Sequence, residues 1–497
     1  MNLIRPLLVV SLLAFAFARA ADLPRSTPEK QDVASAALLG FIDEAEAKIN
    51  ALHSVVIVRH GSVIAEGWWA PYAAEEPHQM FSLSKSFTST AVGLAIAEGK
   101  FSVEDPVLKF FPDEAPAQPS ANLKAMRVRD LLTMSTGHHN EDINNFPYND
   151  DTSAVRKFLA LPVTHKPGTF FVYNTPATFM LSAIVQKTTG QSVLEYLRPR
   201  LFEPLGIANP TWEANKQGIS MGGFGLSIRT EDIAKFGQLY LQKGRWNGKQ
   251  LVPATWVETA TSRWMSNGSN PASDWEQGYG FQFWRCRYGV IRGDGAHGQF
   301  CLVLPELDTV IAITAGTRDL QGVLNVVWAK LLPALQAKTT GGLPADEATH
   351  AKLKARLASL SLKHPVAVST PALAQEIAGR RYVFPKNPLG IESVALEPSS
   401  SGARATQLTT VVGGKRDRVD LPLGEWVKGE VESGPMAGVV ALSGAWTAPD
   451  TFTVEVARYR TPIVLRHRLT FTGDDVTLEL QANVGTAIPA IKGKAQP

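Results

Sequence analysis

Apolar residues recur along the chain with two periods, one typical of helices and one typical of strands. Spacings of three and four residues predict helices over 32–51, 82–98 and 230–244, and the second of these has almost no polar side. Short apolar runs predict a hairpin over 54–69 and a group of strands that ends near residue 315. Because the helices lie between the early hairpin and the late strands, we expect an α+β domain whose antiparallel sheet joins both ends of this segment.

The pattern changes after Leu373 to alternating strands separated by turns such as Thr472–Asp474. We therefore predict a C-terminal all-β domain over 373–497, built as a small barrel or a sandwich. An exposed helix and a proline-bearing linker are predicted over 338–372, which leaves 21–337 for the first domain.

The first twenty residues have the pattern of a cleavable secretory signal. A short positive start ending at Arg5 precedes an apolar stretch, and the small residues Ala18 and Ala20 end it. The stretch is too short to span a bilayer comfortably, so we expect cleavage after Ala20 and a mature chain without a membrane span. The predicted location is the periplasm or the medium.

Composition narrows the class of protein further. The chain has 497 residues, of which 44% are apolar and 19% charged, with a net charge of +3. These values argue against disorder, and the small net charge without a dense basic cluster argues against a nucleic-acid partner. The sequence contains no HExxH motif and no Cys/His cluster, so no metal and no cofactor are expected.

Two cysteines, Cys286 and Cys301, allow one disulfide in an oxidising compartment. We expect them on neighbouring antiparallel strands joined at the RGDG sequence, which would bring the sulfurs together. The alternative is that both are small buried apolar residues.

The sequence SLSK places Ser82 and Lys85 three residues apart at the start of the apolar helix. Their side chains would share one face, and a helix N-terminus disfavours an ammonium and favours a developing oxyanion. Burial lowers a lysine pKa, so Lys85 could act as a neutral base for a Ser82 nucleophile. The motif alone is weak, because about one chance match is expected in a chain of this length.

Two other segments offer supporting groups. Thr175 and Pro176 predict the start of a helix that Gly190 ends, which places Tyr173 in the loop just before it. That phenol could relay a proton beside Lys85, or it could simply be half-buried with its hydroxyl in water. The glycine-rich GDGAHGQF could supply a backbone oxyanion donor, and its His297 could contact substrate or remain solvated.

A competing G-x-S-x-G motif occurs around Ser220. Such a nucleophile elbow needs a buried strand before it and a helix directly after it. Neither is predicted here, so a glycine-rich turn is the preferred interpretation of Ser220.

Taken together and in this order, FSLSKSFTS, PGTFFVYNT, GGFGLSIRTEDIAKFGQLYLQKGRWNGKQLVP and GDGAHGQF resemble the serine β-lactamase-related family over about 36–335. That group resembles class C β-lactamases, D-alanyl-D-alanine carboxypeptidases, family VIII carboxylesterases and aminohexanoate-oligomer hydrolases. The resemblance implies a β-lactamase/transpeptidase-like fold with an all-helical lobe. It also implies Ser82 as nucleophile, Lys85 and Tyr173 as its base pair, and the N–H groups of Ser82 and Gln299 as oxyanion hole.

Two departures from the family pattern concern substrate binding. The family often has Asn where this chain has Thr175, and its β-lactamases and peptidases usually have Lys or His where this chain has Ala296, followed by His297 and Gly298. The residues implied in acylation match the family pattern, whereas the residues that bind a substrate carboxylate or amide in the family are replaced here. We therefore expect an exported serine hydrolase that acts on an ester or a small amide. The alternatives are a β-lactamase or a D-alanyl-D-alanine carboxypeptidase or amide hydrolase of the same fold, which would act on a β-lactam or a short peptide. The alternative of another class is a non-catalytic β-lactamase-like binding protein.

Overall fold

The chain folds into an α+β domain followed by a C-terminal β domain. The computed structural model describes residues 22–143, 145–337, 342–399, 405–431, 437–485 and 488–496. The predicted signal sequence lies outside the described residues, as does the start of the predicted linker.

The strands of the first domain include a long central set and several short pairs. They are β1 (Leu52–Arg59), β2 (Ser62–Trp68), β3 (His78–Gln79), β4 (Thr211–Trp212), β5 (Leu226–Ile228), β6 (Arg245–Trp246), β7 (Lys249–Gln250), β8 (Trp284–Arg285), β9 (Ile291–Gly295), β10 (Gln299–Leu304) and β11 (Thr309–Ala315).

The main sheet of this domain has six strands in the order β2-β1-β11-β10-β9-β8. The predicted early hairpin is β1–β2, and β11 returns from the far end of the domain to pair antiparallel with β1. The expectation that one antiparallel sheet joins both ends of the segment is thereby confirmed. Along β1, Val55 and Ile57 face one apolar core while Val56 and Val58 face another, so the sheet is covered on both sides.

Helices cover the two faces of the main sheet and form a helical lobe beside it. They are α1 (Ser35–Lys48), α2 (Ser84–Ala97), α3 (Ala121–Ala125), α4 (Val128–Leu132), α5 (Asn140–Ile143), α6 (Ala154–Ala160), α7 (Thr175–Thr189), α8 (Val193–Leu197), α9 (Glu203–Leu205), α10 (Thr230–Leu241), α11 (Ala254–Thr261), α12 (Leu320–Val326), α13 (Leu332–Gln336), α14 (Glu347–Ala358) and α15 (Leu373–Glu376). Within the described ranges, no helix combines the length and the apolar character that crossing a bilayer requires.

Two helix boundaries differ from the sequence prediction by one or two residues. Helix α2 begins at Ser84, because a single 3₁₀ turn over Phe81–Leu83 precedes it. The N-cap of α7 is Asn174, whose side chain accepts the Ala177 N–H at 3.0 Å, and not Thr175. Gly190 ends α7 in a left-handed conformation, as predicted.

The C-terminal domain is a single antiparallel sheet of ten strands. They are β12 (Tyr382–Val383), β13 (Ile391–Pro398), β14 (Ala405–Val412), β15 (Lys415–Pro422), β16 (Val427–Val431), β17 (Gly438–Ala448), β18 (Thr451–Ala457), β19 (Val464–Thr472), β20 (Asp475–Ala482) and β21 (Ile488–Ala495). Their order is β15-β14-β13-β12-β21-β20-β19-β18-β17-β16. The first strand of this order packs against the last two, with Leu421 of β15 beside Gly444 of β17. Of the two predicted architectures, the structure is therefore a nearly closed barrel.

The predicted disulfide is not formed, because the two cysteines belong to different strands from those expected. The RGDG sequence is not a turn but most of β9, and this strand separates Cys301 on β10 from Cys286 beyond β8. Cys301 packs into the core on the α2 and α10 side of the sheet, whereas Cys286 packs into the core on the opposite side. Both are free, buried thiols, and burial raises the pKa of each to about 12.

Candidate active site

The serine and lysine of the first motif meet at the N-terminal end of α2. Ser82 lies in the 3₁₀ turn before the helix, and Phe81 beside it has a φ of +48°, which is unusual for an aromatic residue. The Lys85 Nζ lies 3.0 Å from the Ser82 Oγ. The spacing of three residues thus brings the two groups into hydrogen-bond contact.

Lys85 is almost completely buried and has two further polar partners. Its Nζ donates to the carbonyl oxygen of Gly223 at 2.8 Å and to the Thr175 Oγ1 at 3.1 Å. Gly223 was not among the predicted site residues, although it lies in the GGFG sequence that begins the third of the four family-like segments. A side chain there would lie 2.7 Å from the Thr175 methyl and 3.4 Å from the Lys85 Nζ, so glycine permits the close approach.

The protonation of Lys85 is set by its surroundings. Burial lowers the pKa of Lys85 to about 7, and the negative charge of Asp294 opposes this shift. A substantial fraction of the side chain is therefore a neutral amine near pH 7, which is the form that can accept a proton from a hydroxyl.

Tyr173 lies on the other side of the same pair of groups. Its ring centre is 4.9 Å from the Lys85 Nζ, and the Ser82 side chain is near enough to oppose slightly the effect of burial on the pKa of Tyr173. The ring also stacks on Trp284 with 5.3 Å between the ring centres. Burial raises the pKa of Tyr173, so this group carries its proton at neutral pH.

The GDGAHGQF segment forms the tight turn between β9 and β10 and lies directly against the segment that carries Ser82. A side chain on Gly295 would lie 2.1 Å from the Met80 carbonyl oxygen, so the two backbones are in contact. Gln299 begins β10 and is fully buried, whereas Ala296 at the tip of the turn is exposed. His297 is half-buried, and its ring packs edge-on against Phe81 with 5.3 Å between the ring centres.

An ion pair behind the site was not predicted from the sequence. Arg292 and Asp294 are both buried on β9, with 3.1 Å between Nε and Oδ2, and the arginine lies over the rings of Trp275 and Trp284. Burial raises the pKa of Asp294, while the charges of Arg292 and Lys85 lower it. Because RGDG was predicted as a turn, nothing in the sequence indicated that these two residues lie on a buried strand and share one of its faces.

The competing serine does not meet the requirements of a nucleophile elbow. Ser220 is buried in a turn between β4 and β5, and the next helix, α10, begins only at Thr230. Its carbonyl oxygen accepts a 2.7 Å hydrogen bond from Ser182. The glycine-rich turn around Ser220 instead leads into Gly223, the carbonyl partner of Lys85.

Within the part of the chain that the structure describes, no three His, Cys, Asp or Glu side chains lie close enough together to hold an ion.

Comparison with known proteins gives concordant results. A family model described as Beta-lactamase matches residues 42–323. A 6-aminohexanoate-dimer hydrolase from Paenarthrobacter ureafaciens is 26% identical over 320 residues, which covers 58% of this chain and 78% of the relative. A β-lactamase from Escherichia coli is 23% identical over 257 residues, 46% of this chain and 65% of the relative.

Among solved structures, a Bacillus anthracis protein assigned as a 6-aminohexanoate-dimer hydrolase aligns with a TM-score of 0.53 and 20% identity, over 64% of this chain and 88% of its own. A Bacteroides dorei protein assigned as a β-lactamase aligns with a TM-score of 0.51 and 17% identity, over 60% of this chain and 99% of its own. At these identities the structural matches establish the fold alone.

Proposed function

Because this chain belongs to the β-lactamase family, whose members are serine hydrolases, we propose that it is an exported hydrolase that cleaves a carboxylic ester or a small amide through an acyl-enzyme. Ser82 is the nucleophile, and Lys85 with Tyr173 moves its proton. The observation that carries this proposal is the 3.0 Å contact between the Ser82 Oγ and a buried lysine whose pKa is lowered to about 7.

The surroundings of Lys85 support its role as the base. A neutral amine has two N–H groups and one lone pair. The Gly223 carbonyl can only accept a hydrogen bond and the Thr175 hydroxyl can accept one as well, so these two occupy the N–H groups. The lone pair is then directed at the Ser82 hydroxyl.

In the proposed reaction the Ser82 oxygen attacks the carbonyl carbon of the substrate while its proton moves to Lys85. The carbonyl π electrons move onto oxygen, and this anion accepts hydrogen bonds from the N–H groups of Ser82 and Gln299. When the carbonyl re-forms, the bond to the alcohol or amine breaks, and the leaving group receives the proton through the Tyr173 hydroxyl. Water then attacks the acyl-enzyme in the same way, which releases the acid and restores Ser82.

The substrate proposal rests on what surrounds these groups. Ala296 presents only a methyl group where a carboxylate-binding cation would be required, and the Thr175 hydroxyl is already engaged by Lys85. Both features favour substrates that lack a carboxylate next to the scissile bond. Hydrolysis of an ω-amino acid oligomer is a second candidate, because the relative named above is a 6-aminohexanoate-dimer hydrolase. A β-lactam or a D-alanyl-D-alanine peptide fits these features less well.

The test is a substrate panel on the purified mature protein, comprising short-chain aryl esters, 6-aminohexanoate dimers, nitrocefin and D-Ala-D-Ala peptides. We expect ester hydrolysis to have the highest kcat/KM, and labelling of Ser82 by a fluorophosphonate. A protein that turns over none of these compounds and takes up no label would instead be a binding protein with a β-lactamase-like pocket.

Export is tested separately, by the N-terminal sequence of the protein recovered from the periplasm or the medium. The pattern of residues 1–20 supports cleavage after Ala20. Recovery of the uncleaved chain from the cytoplasm would contradict this part of the proposal.

A further inference from the structure

The barrel contacts the first domain next to the active-site segments. In the loop between β18 and β19, the Arg460 carbonyl accepts the Gln79 N–H at 2.9 Å, just ahead of the nucleophile turn. The Thr461 carbonyl accepts the Tyr72 hydroxyl at 3.0 Å, and Arg460 forms a 2.8 Å ion pair with Glu76. One barrel loop is thus attached to the segment that leads into Ser82.

A second barrel contact is made by Asn483, which lies after β20. Its Nδ2 donates to the Gly316 carbonyl at 2.7 Å and to the Pro462 carbonyl at 2.8 Å, while its Oδ1 accepts the Val464 N–H at 2.8 Å. A side chain on Gly316 would lie 2.3 Å from the Pro462 oxygen and 2.4 Å from the Asn483 Nδ2. The absence of a side chain at Gly316 therefore allows the two domains to approach this closely.

The residues on either side of Gly316 are hydrogen-bonded to the turn between β9 and β10. The Thr317 N–H donates to the His297 carbonyl at 3.0 Å, and the Gln299 side chain donates to the Ala315 carbonyl at 2.9 Å. On its other side the turn touches Met80 through Gly295. The turn is held between two segments, and each of these segments is hydrogen-bonded to the barrel.

We propose that Asn483 is a positioning residue for the reaction: through Gly316 and Thr317 it fixes the β9–β10 turn, and with it the Gln299 N–H, relative to Ser82. The inference rests on the proposed function, in which these two backbone N–H groups bind the oxyanion. Donors to an oxyanion act only when they are held at hydrogen-bond distance from an oxygen that becomes charged in the transition state. In this arrangement the barrel is part of the active-site framework.

The test is Asn483→Ala, which removes both donated bonds to the neighbouring carbonyls. We expect kcat for an aryl ester to fall roughly tenfold with KM changed less than about twofold, since an oxyanion contact is made only in the transition state. The rate of fluorophosphonate labelling should fall by a similar factor, while the end point stays at one label per chain. The pH dependence of kcat/KM should not move, because Lys85 is untouched.

The matched control is Asn387→Ala in the turn between β12 and β13. Asn387 also donates two hydrogen bonds to backbone carbonyls, those of Pro385 and Ile391, at 2.8 and 2.7 Å. Both of these residues lie in the barrel, so kcat, KM and the labelling rate should stay at the wild-type values. Where Asn483→Ala unfolds near the assay temperature, the labelling rate is measured at a lower temperature. Asn483→Asp is a second variant: it keeps the acceptor for Val464 but turns a charged oxygen toward the Gly316 and Pro462 carbonyls, so its effect should be at least as large.

A wild-type labelling rate in both Asn483 variants would overturn the inference. A loss of activity that matches the decrease in the labelling end point would also overturn it, because such a loss reports only the fraction of unfolded protein. An equal loss of activity in the Asn387→Ala control would overturn it as well. These outcomes are separable from failure of the proposed function, which would appear in the wild-type background as activity that survives Ser82→Ala.

Discussion

The Nζ atom of Lys85 lies 2.8 Å from the carbonyl oxygen of Gly223, a residue 138 positions further along the chain. This contact attaches the N-terminal end of the buried helix α2 to the glycine-rich loop between β4 and β5. It holds the lysine in a position from which its Nζ also contacts the Ser82 Oγ. The pKa of Lys85 therefore depends on residues that are remote in sequence.

Replacement of Ser82, the proposed nucleophile, gives the first prediction. Ser82→Ala should reduce ester turnover by at least about a thousandfold with little change in thermal stability, because only a hydroxyl is lost from the 3₁₀ turn. Ser220→Ala is the matched control, since the structure gives Ser220 a hydrogen bond through its backbone carbonyl. Activity that survives the first substitution and disappears with the second would reverse the assignment.

The lysine and the tyrosine should behave as one unit. Lys85→Ala and Tyr173→Phe are each expected to slow acylation strongly, and the double variant should be little worse than the poorer single variant. Single-turnover kinetics of acylation measure this directly. Defects that multiply would show that the two groups act independently, against the proposed proton transfer.

The pH dependence follows from the lowered pKa of Lys85. In the proposed mechanism the neutral amine is the active form, so kcat/KM should rise with pH, reach half its maximum near pH 7 and level off only at higher pH. The charge of Asp294 raises the pKa of Lys85, so Asp294→Asn should move this rise to lower pH.

The matched control for the pH profile is Asp474→Asn, which removes an exposed carboxylate that pairs with Arg380 in a barrel turn. Its profile should coincide with that of the wild type. An Asp294→Asn profile that stays in place or moves to higher pH would mean that Lys85 is not the titrating base.

Substrate specificity should reflect the absence of a cationic side chain at Ala296 in the GDGAHGQF segment. A lost polar contact to a carboxylate costs about 1–3 kcal/mol, so kcat/KM for a short-chain ester should exceed that for nitrocefin by at least about tenfold. Ala296→Lys should raise nitrocefin turnover and leave ester turnover unchanged, because Ala296 is exposed at the tip of the turn. Ala296→Gln controls for side-chain size, and nitrocefin turnover at or above ester turnover in the wild type would refute the substrate proposal.

The cysteines provide a test of the sheet order. Because Cys286 and Cys301 are buried on opposite faces and are not bonded, a thiol reagent should detect two free thiols after denaturation without reductant and essentially none before it. Burial raises the pKa of both thiols to about 12, which further lowers their reactivity in the native protein. A bonded pair found by non-reducing mass spectrometry would mean that β9 does not separate them.

Local spacing in the sequence was enough to predict the contact between Ser82 and Lys85. Residues three apart at the start of a helix share a face whatever the rest of the chain does, and an apolar helix without a polar side has to be buried. The same reasoning predicted the early hairpin, the sheet that joins both ends of the first domain, and the all-β character of the C-terminal region. In each case the hydrophobic periodicity over a few residues determines which side chains are buried.

Only the tertiary structure determined the contacts between segments that are distant in the chain, because the local sequence pattern does not indicate which distant segments pack together. The prediction that RGDG is a turn placed the two cysteines on adjacent strands. In the structure the RGDG residues belong to β9, and this strand separates the two cysteines. Gly223, Asp294 and Asn483 likewise reach the site only through the packing of a loop, a strand and a second domain against α2. A backbone carbonyl or a buried ion pair has no periodic pattern of its own, so its position follows from long-range packing and cannot be obtained from the local order of residues.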